Sequence, residues 1–534
     1  MRIYLLLLLL LVLCPSFAQE AGQITGFFQT DVQYYTPDSS IGALPVPEKV
    51  RTNGVLQVNY TKGKFSAGLR YESYLNALQG FNQQYKNMGI PYKYITYNWG
   101  NIEVTAGNFY EQFGKGYLLR TYEERTLGVD NGFDGFRIKA TPLKGISIKG
   151  LIAKNRIYFN QSEGIVRAID AEIAINDVLH LDKTKTQYSI GASFVSRFQK
   201  DNDPIYKLPE NVGAYEFRTQ ITNDKWDIGV NYTHKINDPH STNNYIYKNG
   251  NLLAINVGYA TAGFGFLVNA RRSDNMDFRV DRSATVNDLT LNFVPALTTQ
   301  HTYNLAAFYP YGSQPNGEMS VQTEINYKLK KDTKLGGKYG TTIRVNVSLV
   351  NGINKTAVSN DTLGYASSFF SIGKTKHFRD INIEINKKIT PKWKTTILYS
   401  HILYSPSVIQ GLVGKKDIKA DVIVLDINYK KDNTHSLRTE LQHLYTKQDQ
   451  GSWAMVLVEY TLQNKWYFTL LNQYNYGNTT KKPVYPLASI AFTHQSIRAA
   501  LTYGKQRAGI YCTGGVCRAV PATNGVGLSV SGTF

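Results

Sequence analysis

The stretch Ile343-Arg344-Val345-Asn346-Val347-Ser348-Leu349 decides the fold, because apolar side chains occupy every second position and polar ones, an arginine among them, stand between. A strand points successive side chains to opposite faces, so these residues form a ribbon with one greasy face and one wet face. The same alternation recurs around it. Ile381, Ile383 and Ile385 alternate with Asn382, Glu384 and Asn386; Ile423, Leu425, Ile427 and Tyr429 oppose Asp426 and Asn428; Ile325, Tyr327 and Leu329 oppose Glu324, Asn326 and Lys328. A soluble sandwich hides its apolar faces and leaves its polar faces in bulk water. A membrane barrel turns the apolar face to lipid and borders a wet lumen with the polar one, where Arg344, Glu384 and Asp426, and likewise Arg137 and Lys139, cost little. The expected fold is therefore all-β, a transmembrane antiparallel up-and-down barrel with both termini periplasmic, of about 26 strands within a range of roughly 22 to 26.

The connections between strands alternate in length. Short ones fall at Lys62-Gly63-Lys64, Gly100-Asn101, Pro142 to Gly145, Asn223-Asp224, Thr261 to Gly263, Pro391-Lys392, Asn464-Lys465 and His494-Gln495. Long ones fall at 111–132, 273–287, 351–376 and 477–486. Short turns belong to the periplasmic side and long loops to the extracellular side. Tryptophan gives an independent check. Trp99 precedes a short turn, and Trp226, Trp393 and Trp466 each follow a lysine just after one, as an aromatic belt at the periplasmic headgroups requires. Between Phe278 and Gln300 the pattern admits one further descending strand, Asp288 to Pro295.

The two ends agree with export. Arg2, the apolar run Leu5 to Leu13 and Ser16-Phe17-Ala18 read as a signal peptide over residues 1–18, cleaved after Ala18, with the barrel occupying 19–534. A lipoprotein reading at Cys14 is disfavoured by the bulk of Leu13. The run is also shorter than the ~20 residues a helix needs to cross a bilayer. At the other end Val526, Leu528, Val530 and Phe534 share one strand face and form the expected C-terminal assembly signal, read by the barrel-assembly machinery. With a first strand near Gln23, there is no room for an N-terminal plug domain, so loops or another protein must close the lumen.

Composition fits. Mean hydropathy is −0.30, as expected when only alternate strand residues meet lipid. Aromatics are 13% of the chain, with 38 Tyr against 24 Phe, which suits interface girdles. The net charge of +19 is spread through turns and strands, which argues against a nucleic-acid partner and favours lipid phosphates, including lipopolysaccharide, and anionic solutes. Of 3 cysteines, Cys512 and Cys517 remain after cleavage, and the two glycines in CTGGVC allow a tight turn with a disulfide across it. The loop from Glu111 to Gly135 mixes Arg120 and Arg125 with Glu123, Glu124 and Asp130. It is expected to fold inward as a constriction, with those charges meeting wall residues such as Arg137 and Lys139. No nucleophile elbow, zinc motif or phosphate-binding loop is present, and the 9 histidines are scattered, so neither catalysis nor a cofactor or metal is expected. His443 reads as a girdle or wall residue.

The segment GNFYEQFGKGYLLRTYEERTLGVDNGFDG from Gly107, HTYNLA at His301 to Ala306, LGGKYG at Leu335 to Gly340 and GIYCTGGVCRAVPATNG at Gly509 to Gly525 together resemble an uncharacterised family of large outer-membrane barrels of Bacteroidota. The resemblance runs over most of the chain and implies location and fold without an activity. Two functions follow as expectations. One is a gated or plugged, porin-like channel for solutes or polymers with some preference for anions. The other is a structural or assembly component of a larger complex with other envelope proteins, its lumen sealed by loops or a partner.

Overall fold

A computed structural model describes residues 22–181, 184–358, 364–513 and 516–534, apart from the side chains of 511–513 and 516. The expected signal peptide lies outside the described residues. The described residues form a closed antiparallel barrel of 24 strands with almost no helix among them. Each strand pairs with the next in sequence, and the ring closes where the first, Gln23–Tyr35, pairs antiparallel with the last, Thr523–Thr533. At that seam Gly26 N donates to the Phe534 carbonyl at 2.8 Å and Phe534 N donates to the Gly26 carbonyl at 3.0 Å. Closure leaves no unpaired sheet edge, which is the condition for a sheet to stand in hydrocarbon.

The period-two alternation has the sense expected of a membrane barrel. Ile381, Ile383, Ile397, Ile423 and Leu441 are exposed on the outside, whereas Asn346, Ser348, Asp380, Ser400 and Glu440 are buried on the inside. All eight short connections lie at one end, together with the first and last strand termini. Trp99, Trp226, Trp393 and Trp466 ring that same end on the outer surface, each against a neighbouring aromatic: Tyr97, Tyr259, Tyr429 and Phe492, with centroids 4.5–4.7 Å apart. Val526, Leu528 and Phe534 are exposed on the outer face of the last strand, and the Phe534 ring lies over Gly26, where a Cβ would meet it at 2.5 Å. Deleting Phe534 removes both seam hydrogen bonds and this ring. The yield of folded barrel, read as the heat-modifiable band on gels, is expected to fall several-fold.

Four expectations need correction. Asp288 to Pro295 is not a barrel strand; Leu289 and Leu291 alternate with polar residues but are buried inside the barrel. Without it and a returning partner the count is 24, within the expected range of 22 to 26. The loop placed at 273–287 runs from Asn275 to Gly317, between strands Phe264–Asp274 and Glu318–Leu329. The region 351–376 is mostly strand, because Thr341–Ala357 and Tyr365–Lys388 extend as a long hairpin. The loop expected at 477–486 ends earlier, at the strand Val484–His494.

Candidate functional site

Two connections from the long-loop end turn into the lumen and pack on each other. The first joins strands Ile102–Phe109 and Phe133–Leu143, the second is 275–317. Phe113, Leu118 and Leu119 of the first form one apolar cluster with Phe278, Leu289 and Leu291 of the second and with Leu151, Val166, Val195 and Val212 of the inner wall. Their backbones join as well: Arg120 N donates to the Leu291 carbonyl at 2.7 Å and Phe293 N to the Gly116 carbonyl at 2.9 Å. The Arg120 guanidinium stacks 4.1 Å from the Phe293 ring centroid.

The first segment is tied to the wall by charge. Asp130 accepts from Arg156 at 2.5 Å and from Arg70, and Arg156 also pairs with Glu72 at 2.5 Å. Glu123 bridges Arg70 at 2.9 Å and Arg125 at 2.6 Å. Arg125 in turn sits 4.0 Å above Phe27, well down the first strand, so this loop penetrates deep into the barrel. Glu124 caps the short turn that follows, accepting from the Thr126 hydroxyl at 2.6 Å. Burial alone would raise the Asp130 carboxyl, but Arg156 and Arg70 outweigh it and hold it below its ordinary value.

The inward fold of this loop is as the sequence implied; its partners are not. Arg137 and Lys139 meet Glu111, at 3.4 and 3.5 Å, and Glu103, while Arg120, Glu123, Arg125 and Asp130 look to Arg70, Arg156, Phe27 and the second segment and Glu124 to Thr126 of its own turn. Glu111 opens the loop beside Arg137 and Lys139, whereas Asp130, just before strand Phe133–Leu143, pairs with Arg70 and Arg156 on strands Phe65–Asn76 and Ile146–Ile157. Arg344 stands on the inner wall near Glu384, at 3.6 Å, and Asp426 pairs there with Arg438 at 3.1 Å.

The second segment was missed as a plug, and it is the larger. Its stretch 301–311 lies on an apolar patch of the inner wall made by Leu398, Ile402, Val422, Val424, Leu444 and Met455, burying Leu305, Phe308, Tyr309 and Tyr311. Burying each large apolar side chain contributes roughly 1.5–3 kcal/mol relative to exposure, so the docking is firm. Polar pins fix its register. The Tyr303 hydroxyl donates to Asp426 at 3.1 Å, Leu305 N to the side-chain Oε1 of Gln442 at 2.9 Å, the Tyr309 hydroxyl to Asp449 at 3.2 Å and the Tyr311 hydroxyl to Glu318 at 2.6 Å. His301 lies 2.9 Å from Asp380. Burial first, and Asp426 second, raise the Tyr303 hydroxyl above its usual range, which keeps it a donor. The fifth tryptophan, Trp453, is wholly buried here, 5.1 Å from the Phe308 ring. Beside this stretch a cavity of about 260 Å3 is lined by His301, Asn304, Tyr309, Phe378 and Arg507.

Cys512 and Cys517 face each other in register in the hairpin Gly509–Thr513 and Val516–Val520; the Cys512 side chain lies outside the described residues. The disulfide expected between them stands as a prediction. Alkylation under native conditions should add nothing to the intact mass, and alkylation after reduction should add two groups. His443 points outward, with a ring nitrogen 2.7 Å from the Tyr476 hydroxyl, as a girdle residue would.

The model of a family of unknown function, DUF6029, matches residues 1–534. No curated protein matches the chain. Among solved structures, the chain is similar to the P pilus usher (PapC) translocation pore, at 9% identity over 96% of this chain and 99% of that one, with a TM-score of 0.42. It is similar to the siderophore receptor PirA from Pseudomonas aeruginosa, at 10% identity over 97% and 81% of the two chains, with a TM-score of 0.40. It is similar to the outer membrane protein opdK from Pseudomonas aeruginosa, at 9% identity over 96% and 98%, with a TM-score of 0.33. The barrel itself stands on its own closed register, independent of these likenesses.

Proposed function

For a chain that belongs to the DUF6029 family, whose function is unknown, we propose an outer-membrane channel closed from within by two of its own loops and opened when the second is displaced. The carrying observation is that 275–317 docks on an apolar patch of the inner wall and is pinned there by tyrosine hydroxyls. In this reading the short turns, the tryptophan belt and both termini are periplasmic, and the long-loop end faces the medium. The resemblance to Bacteroidota barrels supports the outer-membrane address. The net charge of +19 favours passage of anions. The role is that of a conduit and not of an enzyme.

The purified protein in planar bilayers tests this. Reproducible conductance steps with anion selectivity are expected, rare or small while the plug is seated. Silence under all voltages, together with proteins that stay bound through purification, would instead support the assembly-component reading.

A further inference from the structure

Past Val350 the pair of strands Thr341–Ala357 and Tyr365–Lys388 slips register three times. Its end then leans across the intervening strand Glu318–Leu329 to the strand Phe264–Asp274. There the Ser367 hydroxyl donates to Asp274 at 2.5 Å, the Tyr365 hydroxyl donates to the same carboxylate, and Arg272 donates to Ser367 at 3.1 Å. The contact is made on the outer, lipid-facing wall. Arg272 and Ala270 share that face with Phe266, which packs on Trp226 of the aromatic belt.

The leaning hairpin therefore roofs a slot on the outside of the barrel. Its floor is Ile255, Ala270, Val321 and Leu349, its roof Phe369 and Ile372, and it holds about 490 Å3. The walls are hydrocarbon, but the mouth is not. Lys248 and Arg272 share the single carboxylate of Asp274, at 3.7 and 3.1 Å. Lys355 stacks on Tyr365 at 4.3 Å, and Arg379 donates to the Val350 and Phe378 carbonyls at 2.7 and 2.8 Å. Lys355 also donates to the Asn316 carbonyl at 2.9 Å and lies in the field of Asp274, while Arg379 forms no ion pair with a carboxylate among the described residues. Lys248, Lys355 and Arg272 thus share the field of one carboxylate, Asp274, and a fourth cation, Arg379, lines the slot together with Arg272.

We propose that this slot holds one acyl chain of a phosphorylated outer-leaflet lipid of the lipid A class, its phosphate seated on Arg272, Arg379 and Lys355. A bare barrel wall meets lipid everywhere and holds none in particular; a roof and a cationic mouth convert the wall into a site. The cations select an anionic head, since each contributes favourably near a lipid phosphate, and the slot selects a chain. The proposal rests on the outer-membrane reading above, with the hairpin on the outer-leaflet side.

Native mass spectrometry of the full barrel, stripped of lipid in neutral detergent and then given lipid A, phosphatidylethanolamine or inorganic phosphate, tests it. One lipid A per barrel is expected, phosphatidylethanolamine should bind about tenfold more weakly for want of net charge, and phosphate alone should not bind. Ala270→Trp, which fills the slot from the lipid side, should abolish binding, while Ile423→Trp on a smooth part of the outer wall should not. Arg272→Gln with Arg379→Gln should erase the preference between the two lipids without blocking the slot. Equal binding of the two lipids to the unaltered protein, binding of free phosphate, or unchanged binding in Ala270→Trp would overturn the proposal. A barrel that fractionates with outer membranes yet binds no lipid A sinks only this site; one that fractionates elsewhere sinks the reading beneath it.

Discussion

Replacing residues 298–311 by a short Gly-Ser bridge is expected to raise single-channel conductance several-fold over the unaltered protein. The excised stretch carries Leu305, Phe308, Tyr309 and Tyr311, which fill the lumen beside Val422, Val424 and Met455. None of the strand-to-strand hydrogen bonds that close the barrel involves it. The cylinder should therefore survive while this part of its filling goes, and a barrel of more than about 16–18 strands leaves an aqueous channel where nothing plugs it. The cost is an apolar patch left wet, which lowers stability without opening the seam. Tyr303→Phe and Tyr309→Phe are the finer test, since each removes one pin of about 0.5–1.5 kcal/mol and keeps the ring. They should raise the frequency of opening and leave the size of each opening unchanged.

The second large effect is expected at Asp130. Asp130→Ala leaves Arg70 and Arg156 buried together with Glu72 and Glu123 as their remaining acidic partners. Removing one partner of a buried ion cluster costs about 3–5 kcal/mol, because the other charges keep their desolvation cost and lose their attraction. The loss should be local, reading as protease cleavage within 110–132 in outer-membrane fragments where the unaltered loop is protected. The pH dependence follows from the sign of the shift. The Asp130 carboxyl lies below its ordinary value in the folded protein, so its contribution is complete above that ordinary value of about 3.9 and is lost as pH falls through the folded value. Protection of the loop should accordingly be unchanged from neutral pH down to mildly acidic solution and fail only in stronger acid.

Much of this was legible in the sequence. The alternation in Ile343 to Leu349 fixes strand, face and the inverted distribution of polarity together, because period two leaves no other way to separate Arg344 from its neighbours. The lysine-tryptophan pairs fix sidedness, since a belt must sit at one depth. The loop after Phe109 shows its inward course through glycines and charges that a solvent loop does not need, although which wall residues its charges meet depends on how far the chain has travelled.

The larger plug was hidden by the same rule that revealed the barrel. Leu289, Leu291 and Phe293 alternate with Thr290 and Asn292 as barrel strands do, and period two reports an apolar surface opposite without saying whether it is lipid or the inner wall. A signal for it does exist. Val422-Ile423-Val424-Leu425 and Ala454-Met455-Val456-Leu457-Val458 are apolar at every position, so both faces of those strands meet hydrocarbon, and in a barrel the inner of the two must be covered by something. The aromatic run from Tyr303 to Tyr311, with no period, supplies the cover.

The strand Ile418–Lys430 offers the most direct measurement of the whole arrangement. Spin labels placed singly from Val422 to Asn428 in the protein reconstituted in liposomes should alternate: 423, 425 and 427 collide with oxygen dissolved in the bilayer, while 426 and 428 do not and 422 and 424 are immobilised against the plug. Labels that show no alternation, or an outer face shielded from oxygen as in a packed soluble sandwich, would contradict it.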